Sequence, residues 1–468
     1  MIARSPGIKL LFVGLVAAVL VVPLLMVYAL VSDREVQNST AQASITAGWG
    51  GPQVVSGPVL AIPYLRRDTQ TEQVDGRSVT RTQVVRDELF LAPERQVVRT
   101  DLEPSVRSRS IYRSVIYRAA MGGTARFVLP ADLERYGITP DQLLLGQAEL
   151  RFGISDPRGL QRDARVSANG TSIPLQPGKG LASSGNAGFY AFLDWTGGAP
   201  VEVEWRYAVR GSRSLALVPR GGETRWEVRS PWQSPSFGGS FLPDEREISG
   251  DGFTARYSVT NLALGQALLL TNDPGPPMLA EPGMESFVPP VQTTDVGGPS
   301  MAASIGLVEP VDLYSRVDRS VKYGFLFIGF TFLAYFMFDV VGGARVAAAE
   351  YLLTGAGLVL FFVLLLAFAE VIGFTLAYLL ASAAIIGLLT AYSIAVLGTV
   401  RRAGFMAALL VALYALIYVL LSLEALSLVI GSVMLFLALA GVMYATRNVD
   451  WSRVARAEEA EAGPGPNP

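Results

Sequence analysis

The chain has 468 residues, 51% of them hydrophobic, a formal net charge of -2, and neither cysteine nor histidine. Disulfides, thiol chemistry, imidazole acid–base catalysis and zinc sites built on Cys or His are excluded, and no cofactor or metal is implied. With so small a net charge and no basic stripe, nucleic acid is not implied as a partner.

Residues 1–32 begin with Arg4 and Lys9 and continue as an apolar run from Leu10 to Val31. A cleaved signal peptide carries an apolar region of only about 7–15 residues. The longer run here predicts an uncleaved anchor helix, with Pro23 as a local kink. Ala41-Gln42-Ala43 fits a small-x-small cleavage pattern but lies beyond Asp33, Arg34 and Glu35. The polar stretch 33–46 can prolong the helix past the membrane.

Residues 33–320 have the mixed composition of a soluble domain. Gly50-Gly51-Pro52 and Gly57-Pro58 punctuate short apolar runs, and Asp75-Gly76 between β-branched segments predicts a hairpin. Further strands are expected at Gln96–Leu102, Ser110–Arg118, Ala125–Leu129, Ala148–Ile154, Ala164–Ala168, Gly188–Trp195, Val201–Val209, Leu215–Val218, Thr224–Arg229 and Phe253–Val259. Short helices are expected near Ala131–Tyr136 and Pro140–Leu145. In Val201–Tyr207 the alternation is clean: Val201, Val203, Trp205 and Tyr207 toward a core, Glu202, Glu204 and Arg206 toward water. Many short strands with Gly/Pro turns predict one large antiparallel β-sandwich-like domain.

Residues 321–446 hold five apolar stretches, at Tyr323–Val341, Leu352–Ala369, Phe374–Leu397, Phe405–Ser422 and Leu426–Ala445. Each approaches the ~20 residues that a helix needs to cross a bilayer. The joints are short, so neighbouring helices must run antiparallel, and the charges cluster at the joints, as spanning helices require. The inner segments carry Arg4, Lys9, Arg345, Arg401, Arg402, Arg447, Arg453 and Arg456, whereas the short outer joints carry only Glu370 and Glu424. This bias predicts both termini in the cytoplasm and residues 33–320 in the periplasm. Trp451 is read as an inner-interface anchor, and residues 447–468 form a polar tail expected to be disordered.

The fold class expected is a membrane protein, α + all-β: an anchor helix, a large periplasmic β domain and a C-terminal bundle of five transmembrane helices. Glu370 and Glu424 can be read as an ion or proton mouth, or as water-exposed loop carboxylates, which the charge bias favours. Ala383, Gly387, Ala391 and Ala395 form a small-residue stripe suited to helix packing. Of the tryptophans, Trp49, Trp195, Trp205 and Trp226 are read as core, whereas Trp232 lies in the loop Ser230–Pro235. Asp244–Glu247 reads as a solvated surface and Gly178-Lys179-Gly180 as a flexible loop.

Gly57-Pro58-Val59-Leu60-Ala61-Ile62-Pro63, Ser155-Asp156-Pro157-Arg158-Gly159-Leu160 and Pro235–Pro243 followed by Glu245-Arg246-Glu247 are distinctive. So are Lys322–Phe327, Tyr351-Leu352-Leu353, Glu370 before Gly373-Phe374, and Thr446–Trp451. Together they make the chain resemble the CreD family of bacterial inner-membrane proteins over nearly its whole length. Family members often carry His where this chain has Ala347, Val371 and Ser234, so a His-dependent role cannot operate here. The resemblance implies a link to cell-envelope integrity, to a two-component response and to altered sensitivity to β-lactams and colicins, but no reaction.

The reading is a non-enzymatic inner-membrane protein of the envelope stress response. It sits in the lipid bilayer, and its periplasmic domain binds an envelope glycan or protein. The ligand-binding residues expected are Trp232, Pro235, Phe237 and Arg246. The alternative is a transporter or lipid/glycan translocator, which needs a polar cavity between the helices. A third reading, a hydrolase, needs two carboxylates facing each other across a cleft, roughly 5–10 Å apart.

Overall fold

The computed structural model describes residues 6–74, 77–109, 112–279, 298–307, 313–340, 346–422 and 427–447. The chain divides into a helical unit, Met1–Ser39 with Val311–Pro468, and a β unit, Thr40–Pro310. The calls on Glu424, Trp451 and the tail, and the Asp75-Gly76 turn itself, lie outside the described residues.

In chain order, α1 (Pro6–Ala47) leads into β1 (Gln53–Val74), β2 (Arg77–Leu91), β3 (Arg95–Arg109), β4 (Tyr112–Phe127) and β5 (Ala148–Ile154). Next come β6 (Arg165–Ala168), β7 (Thr171–Ile173), β8 (Leu175–Lys179), β9 (Ala187–Leu193), β10 (Val201–Ser212), β11 (Ser214–Val218) and β12 (Glu223–Ser230). The β unit closes with β13 (Pro235–Gly239), β14 (Glu245–Ser249), β15 (Gly252–Thr260), α2 (Asn261–Leu264), β16 (Leu269–Leu270) and β17 (Ala303–Leu307). The remaining helices are α3 (Leu313–Lys322), α4 (Gly324–Val340), α5 (Ala348–Ile372), α6 (Phe374–Leu397), α7 (Val400–Ser422) and α8 (Ser427–Thr446).

Two sheets make up the β unit. One runs β13-β17-β11-β1-β5-β9-β8, with β2 on β1 and β16 on β2; the other runs β14-β15-β12-β3-β4-β10-β6-β7. Each holds one parallel pair, β1 with β11 and β3 with β12. The sheets are therefore mixed, where sequence pattern alone predicts antiparallel pairing. Side-chain alternation specifies which face is buried but not the direction of a distant partner strand.

The two sheets share one core. Phe152 on β5 stacks on Phe189 on β9 at 4.8 Å, and Trp205 and Tyr207 of β10 meet Phe152 edge-on at 6.0 and 6.3 Å. The alternation of Val201–Tyr207 is realised residue by residue. Trp195, Trp205 and Trp226 are buried, and the Trp226 indole N–H donates to Thr100 Oγ1 at 3.0 Å. β1 and β2 pair up to Val74 opposite Arg77, on either side of the expected hairpin turn. The stretch expected as a separate strand at Ala125–Leu129 is the end of β4, and the expected helices are short 3-10 turns at Leu133–Tyr136, Pro140–Gln142 and Leu145–Gln147. β13 and β14 escape the sequence pattern because exposed edge strands carry little alternation, and β17, a short strand buried between β13 and β11, escapes it because its five residues show no alternation.

α1 is one helix of 42 residues with Pro23 inside it, and its last turns, from Thr40, belong to the β unit. Among the described residues five helices are long and apolar enough to cross a membrane: Leu10–Ala47, Leu313–Asp339, Ala348–Ile372, Phe374–Leu397 and Val400–Leu421. α8, 20 residues long, stands where the last apolar stretch is expected. The helices meet around aromatic rings: Phe327 lies 4.5 Å and Phe361 4.7 Å from Tyr414, and Tyr378 donates to the Tyr414 carbonyl at 2.8 Å. The small-residue stripe on α6 needs correction. Ala383, Gly387, Ala391 and Ala395 are exposed, and α6 packs instead through Ala377, Ala381, Ile385, Leu389 and Ser393.

Candidate functional site

β2, β1, β5 and β9 carry core residues on one side and a second, polar layer on the other. Phe90, Ala61, Glu149 and Phe192 occupy one cross-strand row, and Arg151 pairs with Tyr190 in the next. A strand of seven buried residues such as β5 would ordinarily be apolar throughout. Instead Glu149 and Arg151 stand two positions apart, and thus on one face.

A cavity opens at the edge of this layer. β16 pairs with β2 only at Leu269 opposite Leu91 and Leu270 opposite Phe90. The following chain, through Thr271, Asn272 and Asp273 to Pro276, then borders a cavity of about 700 Å³. Its other walls come from Tyr64 of β1, from Asp87, Glu88 and Phe90 of β2, and from the turn at Ala182, Gly185 and Asn186. That turn lies directly on β5: a Cβ on Gly153 would meet Ser184 Oγ at 2.6 Å. Gly185 closes the turn in a left-handed conformation, φ 69°, which glycine adopts without steric cost.

Each acidic wall residue is held by an arginine. Arg151 grips Glu88 with two parallel bonds, Nη1 to Oε2 at 2.9 Å and Nη2 to Oε1 at 2.6 Å. The same guanidinium donates to Glu149 Oε2 from Nε at 2.9 Å and Nη2 at 2.6 Å, and Lys179 Nζ reaches Glu149 Oε1 at 2.7 Å. Asp87 accepts from Arg66 Nε at 2.9 Å. Buried Asp273 accepts from Arg220 Nη2 at 2.7 Å and from the Ala182 backbone N–H at 2.5 Å, which joins the two lips of the cavity. None of these arginines lines the cavity itself.

Burial pushes the Glu149 carboxyl up, but the hydrogen bonds from Lys179 and Arg151 outweigh it and leave the group below its ordinary value. Burial pulls the Arg151 guanidinium down, and its bonds to Glu88 and Glu149 more than restore it. A glycosidase needs one carboxyl held protonated as an acid, opposite a second that is free to act. Here Glu88 and Glu149 share one guanidinium, an arrangement that fixes charge and geometry instead of moving protons. Among the described residues no group of three or more acidic side chains could hold a metal ion.

The ligand-binding residues expected from sequence lie elsewhere in the β unit. Trp232 is half-buried against the core, and its indole N–H donates to the Ser234 carbonyl at 3.1 Å. Pro235 opens β13 opposite Leu307, and Phe237 meets Phe253 edge-on at 5.7 Å. Arg246 is exposed on the edge strand β14, within the solvated run Asp244–Glu247. None of the four lines the cavity. In the helical unit, Glu370 accepts from Tyr314 OH at 3.3 Å and lies 3.9 Å from Arg34 Nε.

Glu88, Glu149, Arg151 and Lys179 were missed by sequence reasoning. Lys179, read as part of a loose loop, ends β8 and anchors Glu149. The available signal was the Glu-x-Arg pair inside an otherwise apolar strand. The Asp156-Pro157-Arg158-Gly159 segment is a structural corner: the Asp156 carboxylate accepts from Arg158 Nε and Nη2 at 2.8 Å each and from the Gly51 N–H at 3.3 Å.

Comparison with known proteins gives a consistent picture. The family model CreD, described as inner membrane protein CreD, matches residues 5–452. The inner membrane protein CreD of Escherichia coli (strain K12) is 30% identical over 439 residues, covering 92% of this chain and 90% of that protein. Among solved structures, an M1 zinc metallopeptidase from Deinococcus radiodurans aligns with 36% of this chain and 39% of its own, at 10% identity and a TM-score of 0.19. That score does not establish a common fold.

Proposed function

Because the chain belongs to the CreD family of inner membrane proteins, we propose that it is a non-catalytic receptor of the cell envelope. In this reading the helices hold it in the lipid bilayer with both termini in the cytoplasm. The β unit stands in the periplasm and binds a glycan or protein partner there, as part of the response that maintains envelope integrity. The observation that carries the proposal is the cavity beside β2, whose carboxylates are each locked by an arginine. Such groups are rigid hydrogen-bond acceptors, suited to recognition. Trp232 and Phe237 are set aside as the main contact, since their rings pack on the core.

The absence of cysteine makes the test direct. Gly185→Cys is expected to react with a membrane-impermeant thiol reagent in intact cells, and Arg401→Cys only after permeabilisation; the opposite pattern overturns the orientation. A photo-crosslinking residue at Asn186 is then expected to trap a periplasmic component that the same residue at exposed Glu204 does not.

A second reading, translocation, draws on the helical unit. Thr331, Tyr351 and Thr354 are buried there, and their hydroxyls find no hydrogen-bond partner among the described residues. Unsatisfied hydroxyls are costly in lipid and mark polar paths in transporters. Thr354→Cys that reacts with a hydrophilic thiol reagent would favour this reading; Thr354→Cys that stays inert would favour a dry bundle.

A further inference from the structure

We propose that the cavity is the terminal subsite for an uncharged, hydroxyl-rich carbohydrate chain, which continues from it across the outer face of β5 and β9 over Tyr190 and Phe192. This deepens the receptor reading and rests on it.

The wall chemistry narrows the ligand class. An anion would meet Asp87, Glu88 and Asp273, and among the described residues no lysine or arginine lines the cavity to receive it. A cation would find each of those carboxylates already paired with its own arginine. Ion-paired carboxylates still present unused lone pairs, and Asn186, Asn272 and Thr271 add amide and hydroxyl groups. That combination is complementary to neutral hydroxyls.

Ring faces supply the other half. Phe90 lines the cavity, and the Arg151 guanidinium sits 5.8 Å from its ring centroid. In the same cross-strand row lies Phe192, 57% exposed. Three strand spacings separate the two, roughly 14 Å, the length of a short oligosaccharide. Tyr190 meets Phe192 edge-on at 5.3 Å and carries Lys179 Nζ at 5.5 Å from its centroid. Between the rings Glu149 and Arg151 are themselves buried, and they fix the side chains of Lys179 and Glu88, which stay 54% and 40% exposed along the path. The layer thus alternates apolar ring surface with fixed hydrogen-bonding groups, as the C–H faces and hydroxyls of a sugar chain require.

The test is calorimetric titration of the full-length protein in a detergent without a sugar headgroup. The probes are the dimer and tetramer of N-acetylglucosamine, maltohexaose, spermidine and inorganic phosphate. At least one of the two longer neutral oligosaccharides is expected to bind. Phe192→Ala, at an exposed position that folding does not need, is expected to weaken it about tenfold while leaving any dimer binding unchanged. Phe90→Ala is expected to weaken dimer and longer chains alike. Absence of binding by every neutral oligosaccharide, or binding indifferent to Phe192→Ala, overturns the proposal. So does preferential binding of spermidine or phosphate. If the carbohydrate titrations fail while crosslinking from Asn186 still traps a periplasmic protein, the carbohydrate assignment falls and the receptor stands. Only Gly185→Cys labelling from the cytoplasm removes both.

Discussion

Arg151 is 7% exposed and bonded to two glutamates, so it cannot be removed in isolation. Arg151→Met leaves Glu149 buried beside Glu88 with only Lys179 to offset it. Breaking a buried pair in this way costs about 3–5 kcal/mol, and the unfolding transition of the β unit is expected to shift accordingly in denaturant. Glu149 also sets a pH dependence. Its folded value lies below the ordinary 4.5, so its contribution is complete above that value and is lost as pH falls through the folded value. Lys179→Met removes one of the bonds that hold the value down, so the acid-unfolding midpoint is expected to move to higher pH. Gly159 is constrained by space: a Cβ there would lie 2.3 Å from the Arg210 carbonyl oxygen. Gly159→Ala must therefore displace backbone, at an expected cost of about 1–3 kcal/mol in the same measurement.

At the level of elements, α6 shows how a helix sequence misleads about its neighbours. Four small residues at spacing four suggest a packing face, yet all four are exposed, while Ala381, two residues before Ala383 and so on the opposite face of the helix, is fully buried. Gly387→Leu is expected to leave the melting temperature in detergent nearly unchanged, since nothing lies within 4 Å of a Cβ there. Ala381→Leu adds volume to a packed interface and is expected to lower it, by about 1–3 kcal/mol of overpacking. The strands behave differently, because alternation is a local property. Val201–Tyr207 alternates as expected at every residue, whereas β13 and β14, on sheet edges and largely exposed or half-buried, leave no such trace.

Over the whole molecule, the two units have separate hydrophobic cores. One is centred on residues such as Phe152, Trp205 and Trp226, the other on Phe327, Phe361 and Tyr378. A domain with its own core can fold alone. A fragment of residues 40–310 is therefore expected to be soluble, with a cooperative urea transition and fixed near-ultraviolet dichroism from its buried tryptophans. A molten, non-cooperative fragment would show that the β unit depends on the helices for its stability.

Hydropathy and alternation by themselves determine the membrane-spanning helices, the β-rich domain between them and most of its core strands. Those properties depend on residues within a few positions of one another, and on whether each side chain prefers lipid, core or water. The cavity is a different matter. Tyr64, Glu88, Asn186 and Asp273 are far apart along the chain and converge only because β2 borders β1, β16 leaves β2 after two residues, and the 182–186 turn rests on β5. Which charges meet, and whether an aromatic such as Trp232 or Phe192 spends its face on the core or on solvent, is decided by strand pairing across long sequence separations. No local pattern carries that information.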